Sequence, residues 1–319
     1  MTEKNKYLKI SIVTVNYNNA PFLEETIQSV LNQNYPNLEY IIIDGGSTDG
    51  SVDIIKKYEN ELKYWVSEPD SGPYYAVQKG FDRCTGEVMA WLNSDDKYLT
   101  GSFFAVNDIF NQFDEVNWLM GLAREYNAKG SLIGRIQIPW CRWSKGRYYT
   151  NDFQFIQQES CFWRKSLWEK SGSQMSTEYQ LAGDMELWSR FFKYEKLHTT
   201  LTELAGFRHH SNEQRSKQDL TAYLKECRSI LKREKKGMSF LTKIGYFFMS
   251  GFRFLFGPFF FFNVPLLKLI YPMLFSLPKL IHYNFEKGKY IRGNKTVQYP
   301  PILWGDKQIH FGSFRKKQS

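Results

Sequence analysis

Cysteine is scarce in this chain. Cys84, Cys141, Cys161 and Cys227 are the only four in 319 residues, and no two stand in a C-x-x-C or zinc-ligand spacing. Neither a disulfide framework nor a structural zinc module is expected, and the thiols read as reduced cysteines of a cytosolic compartment. The N-terminal stretch MTEKNKYLK lacks the apolar core of a signal peptide, so the catalytic part is expected on the cytoplasmic side. No internal repeat is evident. Charge is unbalanced: Lys and Arg outnumber Asp and Glu, giving a net charge of +9. A basic surplus suits nucleic acid, anionic membrane or phosphate-rich substrates. Net charge is the sole feature favouring nucleic acid, so no nucleic-acid partner is expected.

The first hundred residues alternate between two periodicities. Residues 10–15 (ISIVTV) form a β-branched run suited to a buried parallel strand. Pro21 then opens a helical pattern with Glu24 and Glu25 in its first turn and Ile27, Val30 and Leu31 on one face. Strands are predicted at 39–43, 64–66 and 88–92, with helices through Ile54–Ile55 and 76–81 between them. This alternation predicts an α/β fold with a mostly parallel sheet covered on both faces. Further on, a hairpin is expected around Lys129–Gly130, an amphipathic helix over 180–195 and a charged helix over 213–237.

Each predicted strand ends in polar, loop-forming residues. They are Asn16-Tyr17-Asn18-Asn19, then Asp44 to Gly50, then Ser67 to Gly72, then Asn93-Ser94-Asp95-Asp96. Open α/β sheets bind ligands beyond the carboxyl ends of their strands, so these loops are expected to converge on one rim. Carboxylates gathered there repel one another unless a cation joins them. A lone Asp-Gly loop or Ser-Asp-Asp is usually a turn or a helix cap. Asp49 fits such a capping role.

Taken together, in order and with this spacing, "VTVNYNN…IIIDGGSTDGS…SEPDSG…QKGFDRCTGEVMAWLNSDD" resembles the nucleotide-binding half of family-2 glycosyltransferases of the GT-A fold. The resemblance is close over about 9–100 and looser to about 215. It implies a nucleotide-sugar donor, its site drawn from Thr14, Asn16, Tyr17, Asn18, Asp44, Asp70, Lys79, Asn93, Ser94 and Asp95. Asp44 and Asp70 would face the base and ribose. Asp95 and Asp96 match the family's DxD-like motif, in which the last aspartate ligates Mn²⁺ or Mg²⁺, hard cations suited to oxygen ligands. Two positions depart from the pattern: Tyr75 replaces a common aspartate and Gln78 a common asparagine, while Lys79-Gly80 is kept.

The runs "QQESCFWRKSLWEKSG" and "LAGDMELWSRFF" resemble the acceptor half of the same family. Asp184 aligns with its catalytic base, Glu186 is a fallback base, and Gly183 replaces the glutamate that usually precedes the base. The competing reading is that Asp184 caps a helix. Gln158 and Glu159 would lie near the acceptor. The segment Phe207-Arg208-His209-His210 with Arg215 resembles one that reaches the diphosphate, and His209 or His210 could complete a metal shell. The resemblance implies an inverting transfer.

Residues 240–281 are apolar and aromatic, yet Arg253, Lys268, Lys279 and four prolines interrupt them. The longest charge-free stretch, 254–267, falls short of the roughly 20 residues a spanning helix needs. A segment lying in the membrane interface is expected, helped by Arg228, Lys232, Arg233, Lys235 and Lys236. Packing on the catalytic domain, a dimer interface, or a spanning or re-entrant hairpin remain alternatives. The expected organisation is a catalytic domain over 1–215, a helical, basic and apolar membrane-associating extension over 216–286, and a polar tail over 287–319. A lipid-linked saccharide acceptor at the cytoplasmic face of the plasma membrane, in surface polysaccharide assembly, would suit it. A sugar-nucleotide nucleotidyltransferase should carry a Gly-rich, Arg-containing loop after the first strand, where Asn16-Tyr17-Asn18-Asn19 stands. A non-catalytic membrane scaffold would need no carboxylates at strand ends. Nothing in the sequence fixes an oligomeric state.

Overall fold

The computed structural model describes residues 7–135, 143–152, 156–210, 219–261, 270 and 273–293. Four parallel strands form its centre: β1 (Ile10–Asn16), β2 (Leu38–Asp44), β3 (Tyr64–Ser67) and β4 (Val88–Asn93). β1 lies between β2 and β4, so the chain leaves in opposite directions on its two sides. That is the switch point at which a crevice opens beyond the strand ends. The connecting helices are α1 (Ala20–Leu31), α2 (Ser51–Lys57) and α3 (Pro73–Phe81). Their apolar faces pack on the sheet as the 3.6-residue spacing predicts.

Beyond β4 come the short β5 (Lys97–Tyr98) and α4 (Ser102–Gln112). The sheet then turns mixed through β6 (Trp118–Asn127), β7 (Leu132–Arg135), β8 (Cys161–Arg164) and β9 (His198–His209). β6 and β7 make the expected hairpin. β8 runs antiparallel between β4 and β6, which joins the two halves into one sheet. Helices α5 (Lys145–Tyr149), α6 (Lys165–Lys170) and α7 (Gly183–Tyr194) cover this half. Four tryptophans, Trp91, Trp118, Trp163 and Trp188, interlock beneath them, with Trp188 stacked on Trp91 at 5.7 Å and on Trp118 at 5.1 Å. Such ring contacts add to the burial of large apolar area.

Two helices follow, α8 (Leu220–Lys236) and α9 (Phe240–Phe261). The latter runs through Pro258, where sequence reading expected a break. No helix among the described residues is long and apolar enough to cross a membrane. Residues 280–293 depart from the expected helical extension and polar tail. They form an antiparallel hairpin, β10 (Leu280–Asn284) and β11 (Lys289–Gly293), docked on β9 at the sheet edge. Leu280, Ile281 and Tyr290 are buried there, so packing at the sheet edge covers Leu280 and Ile281, which sequence reading expected in the membrane-facing stretch. Cys141, Arg215, Pro265, Pro272 and the tail beyond residue 293 lie outside the described residues.

Candidate active site

The strand-end loops do converge. Asp44 sits at the hub and is wholly buried. It accepts hydrogen bonds from Asn16 Nδ2 at 2.6 Å, Ser67 Oγ at 2.6 Å and the Ser47 N–H at 2.9 Å. Loops after β1, β2 and β3 are therefore tied through one carboxylate. Asn19 Nδ2 reaches Ser94 Oγ at 2.9 Å and ties the first loop to the fourth. Asp49 accepts from the Ala20 N–H at 2.8 Å and from Ser51, capping two helices. Asn18 takes the left-handed conformation, φ 48°, and its Oδ1 accepts from Thr48 N–H at 2.8 Å.

These bonds change how several predicted residues sit. Asp44 organises loops, with its oxygens already engaged. Thr14 is buried mid-strand, where its hydroxyl accepts from Tyr40 at 3.0 Å, so it does not reach the rim. Tyr17 and Asp70 are exposed and flank the bare backbone of Gly45. A Cβ on Gly45 would stand 3.0 Å from Asp70 Oδ2 and 3.2 Å from the Tyr17 ring, so a side chain there would crowd both. Lys79 pairs with Glu68 at 2.6 Å beside it. Asn93 donates to Gln158 Oε1 at 3.4 Å, and Gln158 donates to the Trp91 carbonyl at 2.6 Å. Gln158 thereby fastens the acceptor half to β4.

Asp95 and Asp96 turn immediately after β4. Asp96 is buried, and its Oδ1 accepts the Arg208 N–H at 3.0 Å. Burial, with the charges of Asp95 and Glu159, pushes its carboxyl well above the usual range. Asp95 Oδ2 meets His210 Nε2 at 2.9 Å, and the His210 ring lies 4.9 Å from that of Phe22. His209 points elsewhere: strand alternation turns it towards Glu125, at 3.4 Å. Arg208 does not face the cleft as a diphosphate ligand would. It is buried, donates Nε to the Asp95 carbonyl at 2.9 Å and pairs with Glu25, which also holds Lys97 at 2.6 Å. Glu25 was legible only as a first-turn acid, because its partners are 72 and 183 residues away.

Among the described residues, no three His, Cys, Asp or Glu side chains are grouped closely enough to hold a metal alone. The donor chemistry still fits a divalent cation. Two adjacent carboxylates are present, one of them buried among like charges that a bound cation would offset. A diphosphate would supply the missing oxygens.

On the other side stands Asp184, in the first turn of α7. Desolvation pushes its carboxyl up to about 6, and the charge of Glu226 adds to this against the Met185 N–H, which its Oδ1 accepts at 2.7 Å. Glu159 lies between the halves. Burial first, then the charges of Asp95, Asp184 and Glu125, raise it to about 8, and its Oε1 has no hydrogen-bond partner among the described residues. Gly183 has a packing reason. A Cβ there would meet the Tyr74 ring at 2.6 Å, so the tyrosine occupies the space a glutamate would need. Glu186 is no spare base: it is buried between Arg190 at 3.0 Å and Arg233 at 2.6 Å. Gln78 links α3 to the acceptor half, its Oε1 accepting from the Met175 N–H at 2.6 Å.

Residues 11–165 match the family model "Glycosyl transferase family 2". This chain carries a family 2 glycosyltransferase domain. The domain resembles a Bacillus subtilis (strain 168) protein named provisionally as a teichuronic acid biosynthesis glycosyltransferase, TuaG. They are 39% identical over 92 residues, 28% of this chain and 36% of that protein. A Campylobacter jejuni GalNAc(5)-diNAcBac-PP-undecaprenol beta-1,3-glucosyltransferase is 28% identical over 133 residues, 38% of this chain and 43% of its own length. The matched stretches thus span well under two thirds of these relatives. In three dimensions the chain resembles Staphylococcus aureus TarS residues 1–349, solved with UDP-GlcNAc. The TM-score is 0.60 at 16% identity, over 82% of this chain and 78% of that one. The shared architecture is the GT-A-like mixed sheet flanked by helices.

Proposed function

We propose that this glycosyltransferase moves a hexose or N-acetylhexosamine from a nucleoside-diphosphate sugar, most simply a UDP-sugar, to a saccharide hydroxyl with inversion. The observation that carries this reading is a buried group of carboxyls drawn from separate elements. Burial first, and then the charges of Asp95, just beyond β4, and of Asp184, in α7, raise Glu159, while Asp96 is raised by burial and by Asp95 and Glu159.

Asp184 takes the proton of the acceptor hydroxyl. The acceptor oxygen bonds to the anomeric carbon as the bond from that carbon to the phosphate oxygen breaks. The electron pair leaves with the nucleoside diphosphate. A carboxyl near 6 is ionised at neutral pH and still basic enough to help, a contribution worth roughly 10²–10⁴-fold. Mn²⁺ or Mg²⁺ held by Asp95 and Asp96 would supply Lewis-acid stabilisation of the departing charge. Gln158 and the tied loops keep the two halves at a fixed separation, which lowers the entropic part of the barrier.

The relatives named above support a role in cell-surface polysaccharide synthesis with a lipid-linked acceptor. The aromatic face of α9 supports peripheral attachment to the cytoplasmic face of the membrane. Release of nucleoside diphosphate from a panel of UDP-, dTDP- and GDP-sugars with Mn²⁺ tests the catalytic reading. No release from any donor, by protein whose fold is verified, would overturn it.

A further inference from the structure

Among the described residues, helix α9 meets the rest of the protein along a stripe that includes Tyr246 and Arg253. Tyr246 stacks on Tyr149 at 5.1 Å, and Arg253 donates to the Thr150 carbonyl at 3.0 Å. Another face carries Phe240, Leu241, Phe247, Phe248, Phe254 and Leu255, all between 59% and 83% exposed. They recur as pairs seven residues apart, which places them along one side of a helix. A contiguous apolar face of this kind marks an interaction surface.

Next to it lies a groove of about 330 Å³. Arg228, Lys232, Lys235 and Lys236 of α8 and Lys243 of α9 line it, with no carboxylate among the lining residues. None of these five cations has an ion-pair partner among the described residues; the arginine of the same helix that does, Arg233, faces Glu186 instead. Burial pushes the Lys235 ammonium below its ordinary value. Five like charges in one groove cost energy that an anion would relieve. Lys243 belongs to both features, since it lines the groove and sits on the helix with the apolar face.

We propose that the groove and this face form one docking site, in which the groove takes the phosphate of an anionic lipid headgroup and the aromatic face enters the membrane interface. The inference deepens the peripheral-attachment reading above and rests on it. Charge complementarity selects this occupant. Residues 294–319 carry five Lys or Arg against one Asp, so they do not complement a basic groove. A second copy packed through this face would bring like groove against like groove.

The test is co-sedimentation of the full chain with vesicles of phosphatidylcholine alone or mixed with phosphatidylglycerol. Binding should need the anionic lipid and weaken with salt. Lys232→Gln with Lys235→Gln should weaken binding about 25-fold, since each cation near the surface is worth roughly fivefold. Phe247→Ser with Phe254→Ser should abolish it. Circular dichroism checks that each variant folds, and all four positions are on the surface of α8 or α9. Equal binding to both vesicle types, or unchanged binding by the lysine variant, would overturn the groove. Binding of inorganic phosphate in a calorimetric titration without any vesicle binding would overturn the lipid reading and assign the groove to a soluble ligand, and a lipid-free dimer disrupted by the phenylalanine variant would assign the face to a second copy. Nucleoside diphosphate release is measured separately without vesicles. Its loss with lipid binding intact would sink the catalytic reading alone.

Discussion

Glu226 accepts the backbone N–H of Ala182 at 2.8 Å, two residues before Asp184. It also accepts those of Leu181 at 2.9 Å and Gln180 at 3.0 Å. One carboxylate on α8 thereby sets the entry to α7, and its negative charge raises the Asp184 carboxyl. A helix that follows the catalytic sheet thus holds the residue proposed as base in position and adds to the elevation that burial, the larger cause, gives it.

Asp184→Asn should lower kcat by roughly 10²–10⁴-fold while donor affinity stays within about threefold. The two are separated by steady-state kinetics and by calorimetric titration with the nucleoside diphosphate. Activity near that of the wild type would remove Asp184 from the chemistry.

In the wild type, the base must be ionised, so activity should rise with pH through about 6. Removing the like charge with Glu226→Gln lowers the pKa of Asp184, and the acid limb should move to lower pH. Loosening of residues 180–182 should also cut kcat about tenfold, ~1.4 kcal/mol. A pH profile with an unmoved acid limb would leave Glu226 a purely structural residue.

Glu159 holds its proton more tightly when folded than the ordinary carboxyl of the unfolded chain. Stability should therefore fall as pH rises from the usual glutamate range towards about 8. Glu159→Gln should flatten that slope and be the more stable protein at the alkaline end, as read from urea melts across the range.

Glu186→Ala should leave Arg190 and Arg233 without their shared carboxylate. The expected loss is about 3 kcal/mol of stability, with kcat of the folded fraction within about threefold. A kcat loss as deep as that of Asp184→Asn would restore it as a base.

Chelation should abolish turnover and added Mn²⁺ restore it, whereas Asp96→Ala should not recover at any Mn²⁺ concentration. Full activity in chelator would refute the metal role.

Much of the nucleotide-binding half was legible because its signals are local. A β-branched run followed by polar loop residues announces a buried strand and its end, and order plus spacing tied the four ends into one family. Asp49 could be read as a cap from its loop alone. Arg208, Glu25 and Glu226 could not be placed, since their partners lie many residues away and an isolated charge looks the same whether exposed or buried. The same limit misassigned Leu280 and Ile281, whose apolar character says nothing of whether lipid or a sheet edge covers it.

The sequence by itself determined the alternation of strands and helices, the acidic turns at the strand ends and the basic, aromatic character of residues 228–261. Periodicity and composition are properties of neighbours along the chain. Tertiary structure alone decided that Asp44 ties loops together, that Glu186 is neutralised while Asp184 is elevated, and that five cations share one groove. Charge and proton affinity depend on which groups meet in space and how much water remains between them, and folding sets both.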